Sequence, residues 1–407
     1  MPAQWARLGS GGNTNAFCTG RSVTADAQGN VIISGDYNKQ IEFNGNQLPA
    51  TNATSIFMVK FDANGNVLWT KAGSSSSICW FADLTTDATN NIYATGKIST
   101  AITFGATTIQ NHQGDDLVVA KFDPSGNLSW MTVEGKYILS STTDNNFDCG
   151  SSVKVDGSGN VYVGGCLLDT SYYDQNLQTL VIKQWACVAK YNNGGTQQWL
   201  KKFGTHASDI ITAIDLDANN EVYAIGSYQG AFSVGGVALP AANIKAAFVA
   251  KFNNATGNTA FAYQHGSSAD EVNGYGIGIN QQNGNVYTAG NYKNNISFNA
   301  NSLSCQGIWD MYLVLLNNAV AQGLNEQDES FDLNIYPNPA SSLLSFSNSS
   351  FDLSDAHVKV YAMDGSFVMQ GKLNTTKRID ISALNAGNYM VEISTAKQRL
   401  TKVFTKQ

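Results

Sequence analysis

The chain has 407 residues, a formal charge of −7 and a pI near 5.1, and it is sparing with charge, at 14% charged residues against 38 glycines and 11% aromatics. An acidic chain without a basic stripe cannot neutralise a phosphate backbone, which excludes a nucleic-acid partner. No apolar run reaches the roughly 20 residues a helix needs to cross a bilayer, and the length accommodates one large domain and one small one.

The chain opens with Gln4-Trp5-Ala-Arg-Leu-Gly9, which has neither the basic start nor the apolar core of an export signal. A protein bound for the cell surface would therefore be represented here in a processed or trimmed form, the favoured reading, or else with a misassigned gene start. The same phrase returns as Leu68-Trp69-Thr-Lys-Ala-Gly73 and Gln198-Trp199-Leu-Lys-Lys-Phe-Gly204. A second phrase, strand, tight turn and strand ending in Gly, runs from Asp26 to Gly35, Asp87 to Gly96, Asp156 to Gly165, Asp217 to Gly226 and, more weakly, Asn280 to Gly290. These units recur every 60 to 70 residues or so and are too small to bury their own faces, so they must stack on copies of themselves.

Each unit holds a further hairpin, such as Phe57 to Phe61 turning at Asp62-Ala-Asn-Gly-Asn66 into Val67-Leu-Trp69. Four strands per unit follow, a length and pattern that predict an antiparallel propeller blade. Asp, Asn and Gly belong to the turns, where Asp caps the bend and Gly takes a positive φ. Calcium loops would need several carboxylates at alternate positions, which these turns lack. The fifth unit has a third strand at Met311 to Leu316 but no aromatic fourth. The fold class expected is therefore all-β: a five-bladed β-propeller over residues 1–318 in which the Trp5 segment closes the last blade beside the Tyr312 strand. The alternative is a fragment whose further blades lie upstream. The doubled hairpin resembles the bacterial β-propeller repeats found in large secreted proteins, a resemblance that implies architecture and not ligand.

Binding residues are expected on the side opposite the tight turns, where the longer connections emerge. Trp80, Phe81, Tyr137, Tyr172 and Tyr173 are the aromatic candidates for stacking on a glycan or docking a protein; the alternative role for them is core filling. A rival reading is a five-bladed glycoside hydrolase with a carboxylate pair among Asp83, Asp148, Asp209, Asp270 and Glu271. Asp148 and Asp209, however, hold a repeated position that Cys18 and Cys79 fill elsewhere, and His112, His206, His265 and His357 are scattered. No cofactor and no metal is expected, because no two cysteines stand at zinc-site spacing. The six cysteines allow a Cys18–Cys79 bridge, and one from Cys149 or Cys166 to Cys187, or else buried free thiols.

Residues 319–331 read as a linker, and 332–407 as a small Ig-like β-sandwich of about seven short strands. The second domain resembles the type A C-terminal sorting domain of the type IX secretion system of Bacteroidetes. The resemblance rests on Tyr336-Pro337-Asn338-Pro339, the Asp364-Gly365 turn, Gly387 and Tyr389 in Leu384-x-x-Gly-x-Tyr-x-Val, and Lys402 before Val403-Phe404. It implies the secretion machinery as partner, no transmembrane segment, and an extracellular or outer-membrane-surface protein. The function expected is a non-catalytic binding or adhesion propeller.

Overall fold

A computed structural model describes residues 9–11, 16–112, 114–135, 148–174, 179–204, 206, 208–266, 270–298, 301–316, 334–347, 353, 356–362, 367–373, 376–394 and 399–407; at 52, 169–174, 179–183 and 399–401 only the backbone is described. Every element among these residues is a β-strand. The chain separates into two compact units, Met1–Gly323 and Leu324–Gln407.

In the first unit the repeat builds antiparallel sheets in series. Sheet 1 comprises Cys18–Ala25, Val31–Lys39, Thr51–Phe61 and Val67–Ser75. Sheet 2 comprises Cys79–Thr86, Ile92–Ile98, Asp116–Phe122 and Leu128–Glu134. Sheet 3 follows as Cys149–Val155, Val161–Asp174, Thr179–Tyr191 and Gln197–Phe203, and sheet 4 as Ile210–Leu216, Val222–Val234, Val237–Phe252 and Thr259–Gln264. Sheet 5 shows three strands among the described residues, Val272–Ile279, Val286–Tyr292 and Asp310–Leu316.

The turns fold for the reason the sequence suggests. At Asp62 one carboxylate oxygen accepts the amides of Asn64 and Asn66 at 2.9 and 2.8 Å while the other accepts the Asn66 side chain, and Gly65 takes φ +78°. Where the sequence offers Asn instead of Gly, at Asn90 and Asn220, that residue takes the left-handed conformation itself. With their oxygens spent on the turn, these aspartates are structural.

The glycine that ends each repeat has a different cause. The first strand of every sheet bulges, at Gly20/Ser22, Phe81/Asp83, Gly150/Ser152, Ile211/Ala213 and Gly274/Gly276. Each bulge presses a carbonyl oxygen against the facing glycine of the second strand. A Cβ at Gly35, Gly96, Gly165, Gly226 or Gly290 would fall inside the van der Waals radius of the oxygen of Thr19, Trp80, Cys149, Ile210 or Asn273 respectively.

Successive sheets pack face to face. Ile32, Ile56 and Met58 of sheet 1 share a core with Phe81 and Leu84 of sheet 2; Tyr93, Leu117 and Val119 of sheet 2 with Val153 of sheet 3; Tyr162, Ala186 and Val188 of sheet 3 with Ile211 and Ile214 of sheet 4. The outer-strand tryptophans clasp these joints, because Trp69, Trp130 and Trp199 donate their indole N–H to the carbonyls of Pro124, Asn193 and Asn254 in the next sheet's turn, at 3.2, 2.9 and 3.1 Å.

The expected seating of Trp5 beside Tyr312 lies outside the described residues. Gly9–Gly11, just beyond it, pairs with Ile41–Phe43 in the register Gly9↔Phe43, as the end of the fourth strand of sheet 1 pairs with Ile102–Phe104 in the register Gly73↔Phe104. The segment thus holds the place of a fourth strand from a sheet preceding sheet 1. In a closed ring of five, sheet 5 would be that preceding sheet. The faces that would meet, around Val23 on sheet 1 and around Met311 and Leu313 on sheet 5, are exposed.

The second unit is a two-layer sandwich. Asn334–Tyr336, Leu343–Ser347 and Arg378–Asp380 form one sheet, and Phe367–Lys372, His357–Ala362, Gly387–Ser394 and Arg399–Lys406 the other. Leu344, Phe346, Val358, Val360, Val391 and Phe404 fill the space between the layers.

Candidate functional site

The Asp- and Asn-capped turns of the repeat lie at one end of these sheets, so the opposite end, past the repeat glycines, carries the candidate surface. Its aromatic residues do not behave alike. Phe81 is fully buried, 6.1 Å from Phe104 and 5.9 Å from Phe122 between ring centroids, and is core, not ligand platform; the expectation for it is corrected. Its side chain points inward because it stands on the face that sheet 1 covers, a fact set by the neighbouring sheet and invisible along the chain.

Trp80, one residue earlier, points the other way and is half-buried. The Arg21 guanidinium lies 4.5 Å and the Lys97 ammonium 4.4 Å from its ring centroid, while Arg21 pairs with Asp36 and Lys97 with Asp115. Both cations are anchored by carboxylates, so the indole is held in a fixed orientation by two cation–π contacts. Tyr137 lies outside the described residues. Tyr172 and Tyr173 stand opposite Val181 and Leu180 in sheet 3, with their side chains outside the description.

A cavity of about 380 Å³ opens at the same end, between the third sheet and the long hairpin of the fourth. Trp185, Lys202, Phe203 and Ser233 line it with the Gly235–Gly236 turn, whose glycines take φ +57° and +92°. An indole, an ammonium and a hydroxyl around a glycine-walled hollow combine an apolar stacking surface with donors. Sequence reading passed over Trp185 and Lys202. The signal for Trp185 was present: it stands opposite Leu167, two residues past the repeat glycine, where sheets 1, 2 and 4 carry Ser55, Asp116 and Ala246.

The candidate carboxylates are engaged in structure. Asp83 accepts the Ser22 and Ser152 hydroxyls, each at 3.2 Å, and the Val153 amide at 2.9 Å, tying three sheets together. Asp209 accepts the amides of His206 and Gln229 at 2.8 and 3.1 Å. Asp270 accepts the Asn294 side chain at 2.8 Å, and Glu271 pairs with Lys293 at 3.0 Å. Asp148 is buried under Gly135, beside Asp116, and accepts the Leu168 amide; burial pushes its carboxyl up to about 8. None of these carboxylates lines the cavity.

The histidines stay apart. His265 is buried, 2.8 Å from the Thr288 hydroxyl, and burial lowers its pKa to about 4. Among the described residues no cluster of His, Cys, Asp and Glu could hold a metal ion. The cysteines are free thiols. Cys79 donates to the Thr54 carbonyl instead of meeting Cys18, and Cys149 approaches Cys166, its direct cross-strand partner, at 3.3 Å between sulfurs, while Cys187 is buried. The expected Cys18–Cys79 bridge is therefore absent, and the close pair in sheet 3 is Cys149 with Cys166.

In the second unit the predicted sorting residues converge on the terminal strand. Asn338 accepts the Thr405 amide at 2.8 Å, and Ala340 bridges to Lys406, so the Tyr336-Pro337-Asn338-Pro339 segment is laced to the last strand. Tyr389 stacks on Phe404 at 5.8 Å, with its hydroxyl on the Asn385 carbonyl. Lys402 stands opposite Val391 on the neighbouring strand, where Tyr389 faces Phe404 and Gly387 faces Lys406. Asp364 and Gly365 lie outside the described residues.

Residues 334–407 match the secretion system C-terminal sorting domain. That tail marks the chain as a secreted or cell-surface protein, and no described helix is long and apolar enough to cross a membrane. Over 180 residues the chain is 27% identical to an uncharacterized WD repeat-containing protein of Acanthamoeba polyphaga mimivirus, covering 38% of this chain and 12% of that protein. Among solved structures, the extracellular domain of a putative one-component system of B. thetaiotaomicron aligns with 97% of this chain and 56% of its own, at 13% identity and TM-score 0.21. The extracellular domain of a putative hybrid two-component system of the same organism aligns with 96% and 55%, at 12% identity and TM-score 0.21. At those scores the two structural likenesses bear neither on fold nor on activity.

Proposed function

We propose that the chain is a secreted or cell-surface binding protein, its five repeat sheets acting as propeller blades and its tail as an Ig-like sorting domain. Ligand is taken on the side away from the Asp-capped turns, in the hollow of Trp185, Lys202 and Ser233. A glycan fits this chemistry: a sugar face stacks on the indole, and ring hydroxyls or a carboxylate accept from Lys202 and Ser233. The observation that carries the reading is that the cavity has donors and an aromatic wall but no carboxylate, while the candidate acids are committed to amides and hydroxyls. The reading is non-catalytic for that reason.

Binding of the full chain to an array of neutral and acidic glycans tests this. A hit is expected that weakens at least about tenfold in Trp185→Ala, in keeping with roughly 1–3 kcal/mol for an aromatic stacking contact. Absence of any glycan hit would leave a protein ligand as the remaining form of the proposal. A glycoside hydrolase is the second reading, favoured by one observation: the neutral Asp148 carboxyl beside Asp116 has the protonation a general acid requires. Release of reducing ends from a polysaccharide, lost in Asp148→Asn, would establish it in place of the first.

A further inference from the structure

At the end of each repeat sheet away from the capped turns, the residue after the repeat glycine stands opposite a residue of the first strand. In sheet 2 this pair is Lys97 and Trp80, the ammonium 4.4 Å from the indole centroid, and in sheet 5 it is Asn291 and Asn273, whose side chains are hydrogen-bonded at 3.0 Å. In sheet 3 the same register position holds Cys166 and Cys149, with 3.3 Å between their sulfurs. This pair is the last described rung between the first two strands, next to the bulge at Gly150/Ser152, so a link across it fastens the first strand at its end.

The two thiols are placed as a bridge requires. Directly opposed residues of an antiparallel pair hold their Cα atoms about 4.5–5.5 Å apart, inside the roughly 4.4–6.8 Å that a disulfide spans. Cys187 is turned away from them. It stands opposite Gly165 whereas Cys166 stands opposite Ala186, and successive strand residues point to opposite faces. Cys187 accordingly packs with Leu117 and Val119 of sheet 2, while Ala186 packs with Ile211 of sheet 4 on the other side. Cys79 and Cys305 donate to the carbonyls of Thr54 and Gly307, at 3.1 and 3.2 Å. The close pair is also asymmetric. The hydrogen bond from Cys166 holds the Cys149 thiol below its ordinary range, and the same bond raises Cys166 well above it. Cys149 is half-buried and Cys166 is buried, so Cys149 is the sulfur that an oxidant meets first.

We propose that Cys149 and Cys166 are joined by a disulfide in the exported protein. A chain whose tail sends it to the cell surface enters oxidising surroundings, where two thiols in contact are converted to a bridge. The oxidant is another disulfide, of a small molecule or a protein. The Cys149 thiolate attacks one of its sulfurs, forming a mixed disulfide and expelling one thiolate, which takes up the proton Cys149 gave. Cys166 then loses its proton, attacks the Cys149 sulfur and expels the second thiolate, which is protonated in turn. Two electrons and two protons leave the protein, and the oxidant departs as two thiols. One residue past Cys166, Leu167 faces Trp185, so the bond fastens the strand beside the cavity whatever the cavity binds.

The full chain, recovered from the medium or the cell surface and alkylated at once, provides the test. Trypsin cuts after Lys154 and Lys183 and so places Cys149, Cys166 and Cys187 on separate peptides. Without reductant, mass spectrometry is expected to find the Cys149 and Cys166 peptides linked, lighter by two hydrogens than the two apart, and reduction is expected to separate them. Thiol titration in denaturant is expected to find at least two fewer thiols before reduction than after, out of the six present. Cys187→Ser is expected to keep the link and Cys166→Ser to abolish it; the wild-type peptide map needs neither variant to fold. Unlinked Cys149 and Cys166 peptides, all six thiols reactive before reduction, or a link from either cysteine to Cys187 would each overturn the inference.

Discussion

At the scale of single residues, similar side chains take unlike roles according to what covers them. Trp80 and Phe81 are neighbours in sequence, yet one is clamped by Arg21 and Lys97 at the candidate surface and the other is sealed between Phe104 and Phe122. Burial acts on titration in the same way. His265 packs against Phe298 and Tyr312, and its pKa falls to about 4 from an ordinary value of 6.5. The folded chain therefore keeps this imidazole neutral where the unfolded chain has already bound a proton. As pH falls from about 6.5 toward about 4 the unfolded state takes up the extra proton and stability drops, by about 1.4 kcal/mol per pH unit within that window. Urea denaturation of wild type and His265→Gln at pH 7, 6, 5 and 4.5 checks this; the substitution should flatten the dependence in that window. The burial of this histidine is not legible along the chain, because Phe298 and Tyr312, which pack on it, come from distant strands of sheet 5 and its hairpin.

At the scale of elements, the repeat is a mechanical unit whose two glycine classes have separate causes. Turn glycines such as Gly65 are needed for a positive φ, whereas Gly96 is needed because the bulge at Phe81/Asp83 pushes the Trp80 carbonyl into the space a side chain would use. Gly96→Ala is accordingly expected to destabilise by roughly 1–3 kcal/mol or more through overpacking against backbone, measured as a lowered denaturation midpoint. Gly29→Ala, at a turn with open space around it, should cost less, since only φ strain is involved. The existence of the hairpins was legible because Asp, Asn and Gly make their turn within five residues. The bulge was not, because it is defined by the register between two strands.

At the scale of the whole molecule, one chain joins a repeat array to an export signal. The Tyr336-Pro337-Asn338-Pro339 segment is distant in sequence from the terminal strand yet bonded to it through Asn338 and Ala340, so recognition of the tail should depend on that strand pairing being intact. Asn338→Ala is expected to lower the share of protein reaching the medium or the cell surface, measured by fractionation against wild type, while the repeat unit stays folded by circular dichroism. What the sequence by itself determined is the period, the turn chemistry, the all-β character and the sorting tail, since each depends on residues close enough to interact along a few positions of chain. Only the tertiary structure decided that Phe81 is core, that Asp83 and Asp209 are braces, that Cys149 faces Cys166, and that Trp185 and Lys202 share a hollow. Those outcomes depend on which sheet lies against which, and packing between segments some 60 residues apart leaves no periodic mark on the chain.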